Sequence, residues 1–133
     1  MISTKIQLRF ADVDMGGHVH NAAYLHYFES ARIQFFIGSL APNWDWKKMG
    51  FIVKKNTIEY HAPVYLTDQI RVDVNCTHIG EKSFTLSYEV FDQNNFKKTY
   101  GESVIVCFDY LQNKTIQIPS EVKTILENHF VNK

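Results

Sequence analysis

The sequence predicts an α+β fold: one five-stranded antiparallel sheet wrapped around a long central helix, with a short helix at the C-terminal end. Three observations carry this prediction. Residues 21–37 have a helical apolar period but are apolar around most of their circumference, so that helix must be largely buried. Segments on both sides of it alternate apolar and polar residues with a period of two, the mark of half-buried strands. Nothing else in the chain is available to cover the helix, so the sheet has to.

The elements follow in order. Ile6, Leu8 and Phe10 alternate with Gln7, Arg9 and Ala11, which reads as a first strand. Residues 12–20 form a loop with turn chemistry at Gly16 and Gly17. In the helix, Tyr24, Phe28, Ala31 and Phe35 share one face, Leu25, Tyr27, Ile33 and Phe36 widen it, and Gly38 is a suitable stop. Residues 39–50 read as an irregular connection with Pro42, Trp44 and Trp46. Four strands in a meander are then expected. The first covers 51–61. The second alternates Ile70, Val72, Val74 and Cys76 with polar residues, and the third does the same with Phe84, Leu86, Tyr88 and Val90. The fourth covers 99–108. Residues 80–82 and 92–95 are of hairpin length. Pro119 precedes Val122, Ile125, Leu126 and Phe130 at helical spacing, which gives the short last helix. No repeat, low-complexity tract or linker interrupts the chain, so residues 1–133 are expected to form a single domain.

Composition narrows the function classes. Hydrophobic residues make up 45% of the 133 and charged residues 21%, enough apolar material for a substantial core. The formal net charge of +0 argues against a nucleic-acid partner. Cys76 and Cys107 lie in apolar runs without metal-type spacing and read as buried free thiols, which suits a reducing compartment. With no signal-peptide pattern at the start and no apolar run long enough to span a bilayer, the cytoplasm is the expected location.

The chemistry is concentrated in residues 9–24, where Asp12, Asp14, Gly16, Gly17, His18, His20, Asn21 and Tyr24 lie between a strand and a buried helix. The start of a helix presents unpaired N–H groups and a partial positive charge, which suit a carbonyl oxygen that becomes an oxyanion on attack. A carboxylate beside it is able to attack that carbonyl or to activate water. Glycines let the backbone approach a substrate closely.

At these residues the chain resembles the 4-hydroxybenzoyl-CoA thioesterase branch of the hotdog-fold superfamily, including its bacterial acyl-CoA thioesterases. The likeness rests on Phe10-Ala11-Asp12-Val13-Asp14, then Gly17-His18-Val19, Asn21 and Tyr24. It continues through Tyr60-His61-Ala62-Pro63-Val64, Ile79-Gly80-Glu81-Lys82-Ser83-Phe84 and the strand from Gly101 to Phe108. The resemblance implies a hotdog fold and hydrolysis of an acyl-CoA or acyl-carrier thioester. Asp14 then stands at the catalytic aspartate, as nucleophile or general base. The backbone N–H of Asn21 polarises the carbonyl, and Lys82 and Ser83 lie near the CoA phosphates. Gly17, His18 and Tyr24 complete the candidate substrate-binding set. No metal or cofactor is implied, CoA being part of the substrate, and the family assembles as dimers or tetramers with sites at an interface. The chain departs from the pattern at Gly80-Glu81, where one branch has two arginines, and at His20, where asparagine is common.

Other readings stand beside this one. Asp12 reads as structural, pairing with Arg9 or Arg32, although spacing alone also allows it as the catalytic carboxylate. Glu29 pairs with Arg32 at helical spacing or contributes a polar group at the acyl end of the site. A dehydratase or hydratase would need a histidine and a helix carboxylate, and His18 with Glu29 is the pair available. A non-catalytic module that binds an acyl ligand is compatible with the fold alone.

Overall fold

The computed structural model of the protein describes residues 1–132. Its strands are β1 (Ile2–Ile6), β2 (Gly50–Tyr60), β3 (Ile70–Ile79), β4 (Ser83–Phe91), β5 (Lys97–Asp109) and the two-residue β6 (Lys114–Thr115). The helices are α1 (Ala23–Ile37) and α2 (Ser120–Asn128). The strands form a single antiparallel sheet in the order β1-β3-β4-β5-β2, with β6 added beside β5.

Three expectations need correction. The first strand ends at Ile6, and Phe10 is an exposed residue of a 3-10 turn, Phe10–Asp12. The cause is local: the Asp12 carboxylate accepts from the Arg9 backbone N–H at 3.1 Å and from its guanidinium at 3.0 Å, closing a turn where the alternation predicts extended chain. The four later strands are not one meander. Only β3, β4 and β5 follow each other; β2 pairs with β5 at the far edge, Gly50 opposite Phe108 and Tyr60 opposite Thr99. Finally, β6 brings the strand count to six.

The helix packs through aromatic side chains. Phe28 stacks on Tyr88 of β4, with ring centroids 4.4 Å apart and planes 5° from parallel. Phe36 meets Phe84 and Phe51 edge-on or tilted. Phe28, Ala31, Phe35, Phe84, Leu86 and Tyr88 are fully buried. Gly101 on β5 makes room for the Phe28 ring: a Cβ there would come within 2.4 Å of it. The helix is not covered all round, since Leu25, Ile33 and Ile37 are exposed. At the other end of the chain α2 buries Val122, Ile125 and Leu126, and the residues after it hydrogen-bond along β3, Cys76 N–H donating to the His129 carbonyl and Val131 N–H to the Cys76 carbonyl. Both cysteines are free and buried, as the apolar runs predict, and burial pushes their thiols up to about 11 for Cys76 and about 12 for Cys107. Among the described residues no helix is long and apolar enough to cross a membrane.

Candidate active site

The loop that joins the first turn to α1 is built around Asp14. Its backbone N–H donates to the His18 carbonyl at 2.8 Å, and its own carbonyl accepts from Gly17 N–H at 3.0 Å. Its carboxylate Oδ1 accepts from Gly16 N–H at 2.9 Å and from His18 N–H at 3.3 Å. Gly17 takes φ +78°, a left-handed conformation in which glycine carries no Cβ penalty. One carboxylate oxygen is thus held by backbone, and Oδ2 has no hydrogen-bond partner among the described residues.

Asp12, two residues earlier, is in the opposite situation. It is buried, held by Arg9 and by the Tyr27 hydroxyl at 2.8 Å. Burial alone would raise its pKa; the hydrogen bonds from Tyr27 and Arg9 outweigh that and hold it below the ordinary carboxylate value. The pairing with Arg9 is the structural role expected for it. Burial and the bond to Asp12 keep the Tyr27 phenol protonated well above its usual range.

Asn21 lies in the turn before α1, since the helix begins at Ala23 rather than at Asn21. His20 organises this turn: its N–H donates to the Asp12 carbonyl at 2.7 Å, its carbonyl accepts from Ala23 N–H, and its Nδ1 accepts from Ala22 N–H at 3.2 Å. The Asn21 amide is left without an acceptor among the described residues, while the Asn21 carbonyl accepts from the Tyr60 hydroxyl at 2.9 Å. No side chain caps the helix start.

These pieces meet in one groove of about 470 Å³, lined by Asp14, His18, His20, Asn21, Tyr24 and Tyr60, with residues 61–63 as a further wall. Tyr24 and Tyr60 pack edge to face at 5.2 Å, and burial raises both phenols. The His18 ring packs edge-on against Tyr65 at 5.1 Å. Asp14, with an unpartnered carboxylate oxygen, and Asn21, with an unpartnered backbone amide, line the same groove, and that pair of groups suits attack on a polarised carbonyl. Sequence reasoning assigns Tyr60 no role. Its motif, Tyr60-His61-Ala62-Pro63-Val64, is visible in the sequence, but its bond to the Asn21 carbonyl depends on β2 ending beside the start of α1.

Other candidates lie elsewhere. Gly17 shapes the loop without lining the groove. Lys82 and Ser83 stand at the start of β4, where Ser83 pairs with Val106; seven residues of β5 separate that level from Thr99, opposite Tyr60, or about 23 Å of extended chain. Within one chain they are remote from Asp14. Glu29 lies 3.8 Å from Arg32 and lines other grooves, so it does not join His18. Among the described residues no three histidine, cysteine, aspartate or glutamate side chains cluster as metal ligands.

The fold, a sheet packed against α1, is shared with known thioesterases. The chain belongs to the thioesterase-like superfamily, whose family model matches residues 8–126. It is 26% identical over 123 residues to the acyl-CoA thioester hydrolase YbgC of Escherichia coli O6:H1, covering 88% of this chain and 89% of that one. It is 27% identical to the long-chain acyl-CoA thioesterase FadM of Escherichia coli K12, over 95% and 97% of the two chains. A thioesterase from Thermus thermophilus, crystallised with coenzyme A and Zn, superposes with a TM-score of 0.81 at 28% identity, covering 93% of this chain and 95% of that one. The protein is a thioester hydrolase.

Proposed function

We propose that this enzyme hydrolyses an acyl-CoA thioester, or the same acyl group on a carrier protein, to the free acid and the thiol. The observation that carries the reading is the shared groove of Asp14 and Asn21. In this reading the thioester carbonyl oxygen sits on the Asn21 amide. The free Oδ2 of Asp14 attacks the carbonyl carbon or takes a proton from the water that does. The two backbone donors on Oδ1 hold the carboxylate in place, so that no reorientation is needed at the moment of attack. Tyr60 positions Asn21 through its carbonyl. Tyr24 and His18 border the acyl or pantetheine arm. No metal or cofactor takes part, CoA entering only as part of the substrate.

The reading includes a homodimer or homotetramer. Its support is β2, an edge strand whose Ile52 and Val53 are exposed. Antiparallel pairing of two β2 edges turns the second sheet end over end. The partner's Lys82 then comes to the end of the sheet where Asp14 lies, which reconciles a CoA-phosphate role for Lys82 and Ser83 with their distance from Asp14 in one chain. The reading places the enzyme in the cytoplasm, in keeping with its two buried free thiols.

The test is thiol release from a panel of acyl-CoAs by wild type and Asp14→Asn. Turnover by wild type that falls about a hundredfold or more in the variant, at an unchanged thermal midpoint, is the expected result. Tight binding of acyl-CoA without turnover by wild type would favour a binding module instead. The dehydratase alternative has no supporting geometry, because Glu29 does not reach the groove of His18.

A further inference from the structure

Halfway along α1, Arg32 keeps only 14% of its side chain exposed. Its guanidinium donates to the Tyr88 hydroxyl at 3.1 Å, and its nearest carboxylate, Glu29, is 3.8 Å away and 63% exposed. This largely buried cation thus has one neutral hydrogen-bond partner and a long ion pair to a mostly solvated carboxylate, which compensates it only weakly. It borders a groove of about 340 Å³ that Glu29 also lines and whose other walls are Ile33, Phe36, Ile37, Trp46 and Phe51. This groove has no lining residue in common with that of Asp14, and Arg32 lies about 14 Å along the helix axis from Ala23, the first residue of α1.

A cation whose only ion pair is to an exposed carboxylate, at the edge of an aliphatic and aromatic groove, is complementary to a molecule with one anionic end and an apolar body once that carboxylate is displaced. Arginine matches a carboxylate with two parallel N–H donors, and the Glu29 side chain, being solvated, is free to swing aside. The volume lies at the small end of ligand pockets and accommodates a medium-length fatty acid or an aryl acid. We propose that this groove binds an apolar monocarboxylate, the carboxylate on Arg32 and the hydrocarbon part against the Ile33, Ile37 and Trp46 walls. Thioester hydrolysis releases such an acid. The inference therefore rests on the hydrolase reading for the origin of the ligand, and on the groove alone for its binding.

The protein carries its own reporter, because Trp46 lines the groove and Trp44 packs against it. Titration of the full chain with octanoate should change tryptophan fluorescence in a saturable way, and octanol should bind at least about tenfold more weakly, the usual worth of a charge-assisted hydrogen bond. Arg32→Met should lose the preference for octanoate. Because that change also strips the Tyr88 hydroxyl of a donor, Ile33→Asp is the second variant: Ile33 is exposed, so the fold should persist while octanoate binding falls about tenfold or more. Equal binding of octanol and octanoate, or retention of the preference in Arg32→Met, overturns the proposal. So does a wild type that ignores octanoate while Ile33→Asp converts an oligomer to a monomer, since a second copy then fills the groove. Asp14→Asn separates the two readings. If it binds octanoate normally while no acyl-CoA is turned over even by wild type, the hydrolase reading fails and the site stands. If wild type hydrolyses acyl-CoA but octanoate does not bind, this inference alone fails.

Discussion

The Tyr27 hydroxyl donates to the buried Asp12 carboxylate at 2.8 Å, fastening the start of the Asp14 loop to the first turns of α1. Asp14, two residues on, lines the open groove, with one carboxylate oxygen unpartnered among the described residues. In the proposed mechanism the two aspartates of one motif are divided between holding the loop and meeting the substrate.

That division predicts opposite phenotypes. Asp12→Asn should lower stability by about 1–3 kcal/mol, the cost of leaving the buried Tyr27 hydroxyl and the Arg9 donors short of a charged acceptor, with turnover per folded molecule nearly kept. Asp14→Asn should keep the thermal midpoint and lose turnover. The acid dependence follows from the depressed pKa of Asp12. A carboxylate held below its unfolded value of about 3.9 contributes its full stability above that value and loses it as pH falls through the folded pKa. Thermal midpoints of wild type and Asp12→Asn should therefore differ at neutral pH and draw together below about pH 3.9. A constant gap across that range would show that Asp12 acts through packing rather than charge.

Gly101 should not tolerate alanine. The new methyl would fall 2.4 Å from Phe28 Cε2 and 3.1 Å from the Thr57 carbonyl. The ring has little room to retreat, being stacked on the fully buried Tyr88. A loss of about 1–3 kcal/mol is expected, as for other overpacked cores. A denaturant midpoint equal to that of wild type would mean that the helix lifts from β5 more easily than its packing indicates.

Gly17→Ala tests the loop itself. No atom crowds that position, so its cost is conformational, about 1 kcal/mol for a left-handed non-glycine residue. Because Gly17 N–H closes the turn onto the Asp14 carbonyl, the substitution should lower kcat more than it lowers stability. The reverse ranking, stability lost and kcat intact, would separate the turn from catalysis.

Lys82→Ala should raise KM for an acyl-CoA at low ionic strength while leaving KM for a short thioester without the nucleotide unchanged, because screening and truncation remove the same contact. If the contact crosses between copies, mixed assemblies of Asp14→Asn and Lys82→Ala chains should show a fraction of sites with wild-type KM. Only the high KM of Lys82→Ala in every mixture would place Lys82 and Asp14 of one chain at the same site, against about 23 Å of sheet between the levels of Ser83 and Tyr60.

Much of this protein is written locally. The alternation in β3 and β4, the apolar spacing of α1 and Pro119 before α2 each report an element because burial on one face imposes a period on the side chains. The Asp14 motif is equally local, since the turn, the carboxylate and the amide lie within a few residues. What the sequence alone does not contain is pairing between distant segments. The order β1-β3-β4-β5-β2 moves β2 to the edge beside β5, and no periodicity within β2 encodes its neighbour. That placement brings Tyr60 to the Asn21 carbonyl and carries Lys82 to the opposite end of the sheet. The Arg9 turn onto Asp12 overrides a clean alternation, because a few short-range hydrogen bonds to a buried carboxylate outweigh the weak preference of three alternating side chains. The chemistry of the site is therefore legible from neighbouring residues, whereas its walls and its distance from Lys82 are decided by long-range packing of the sheet against α1.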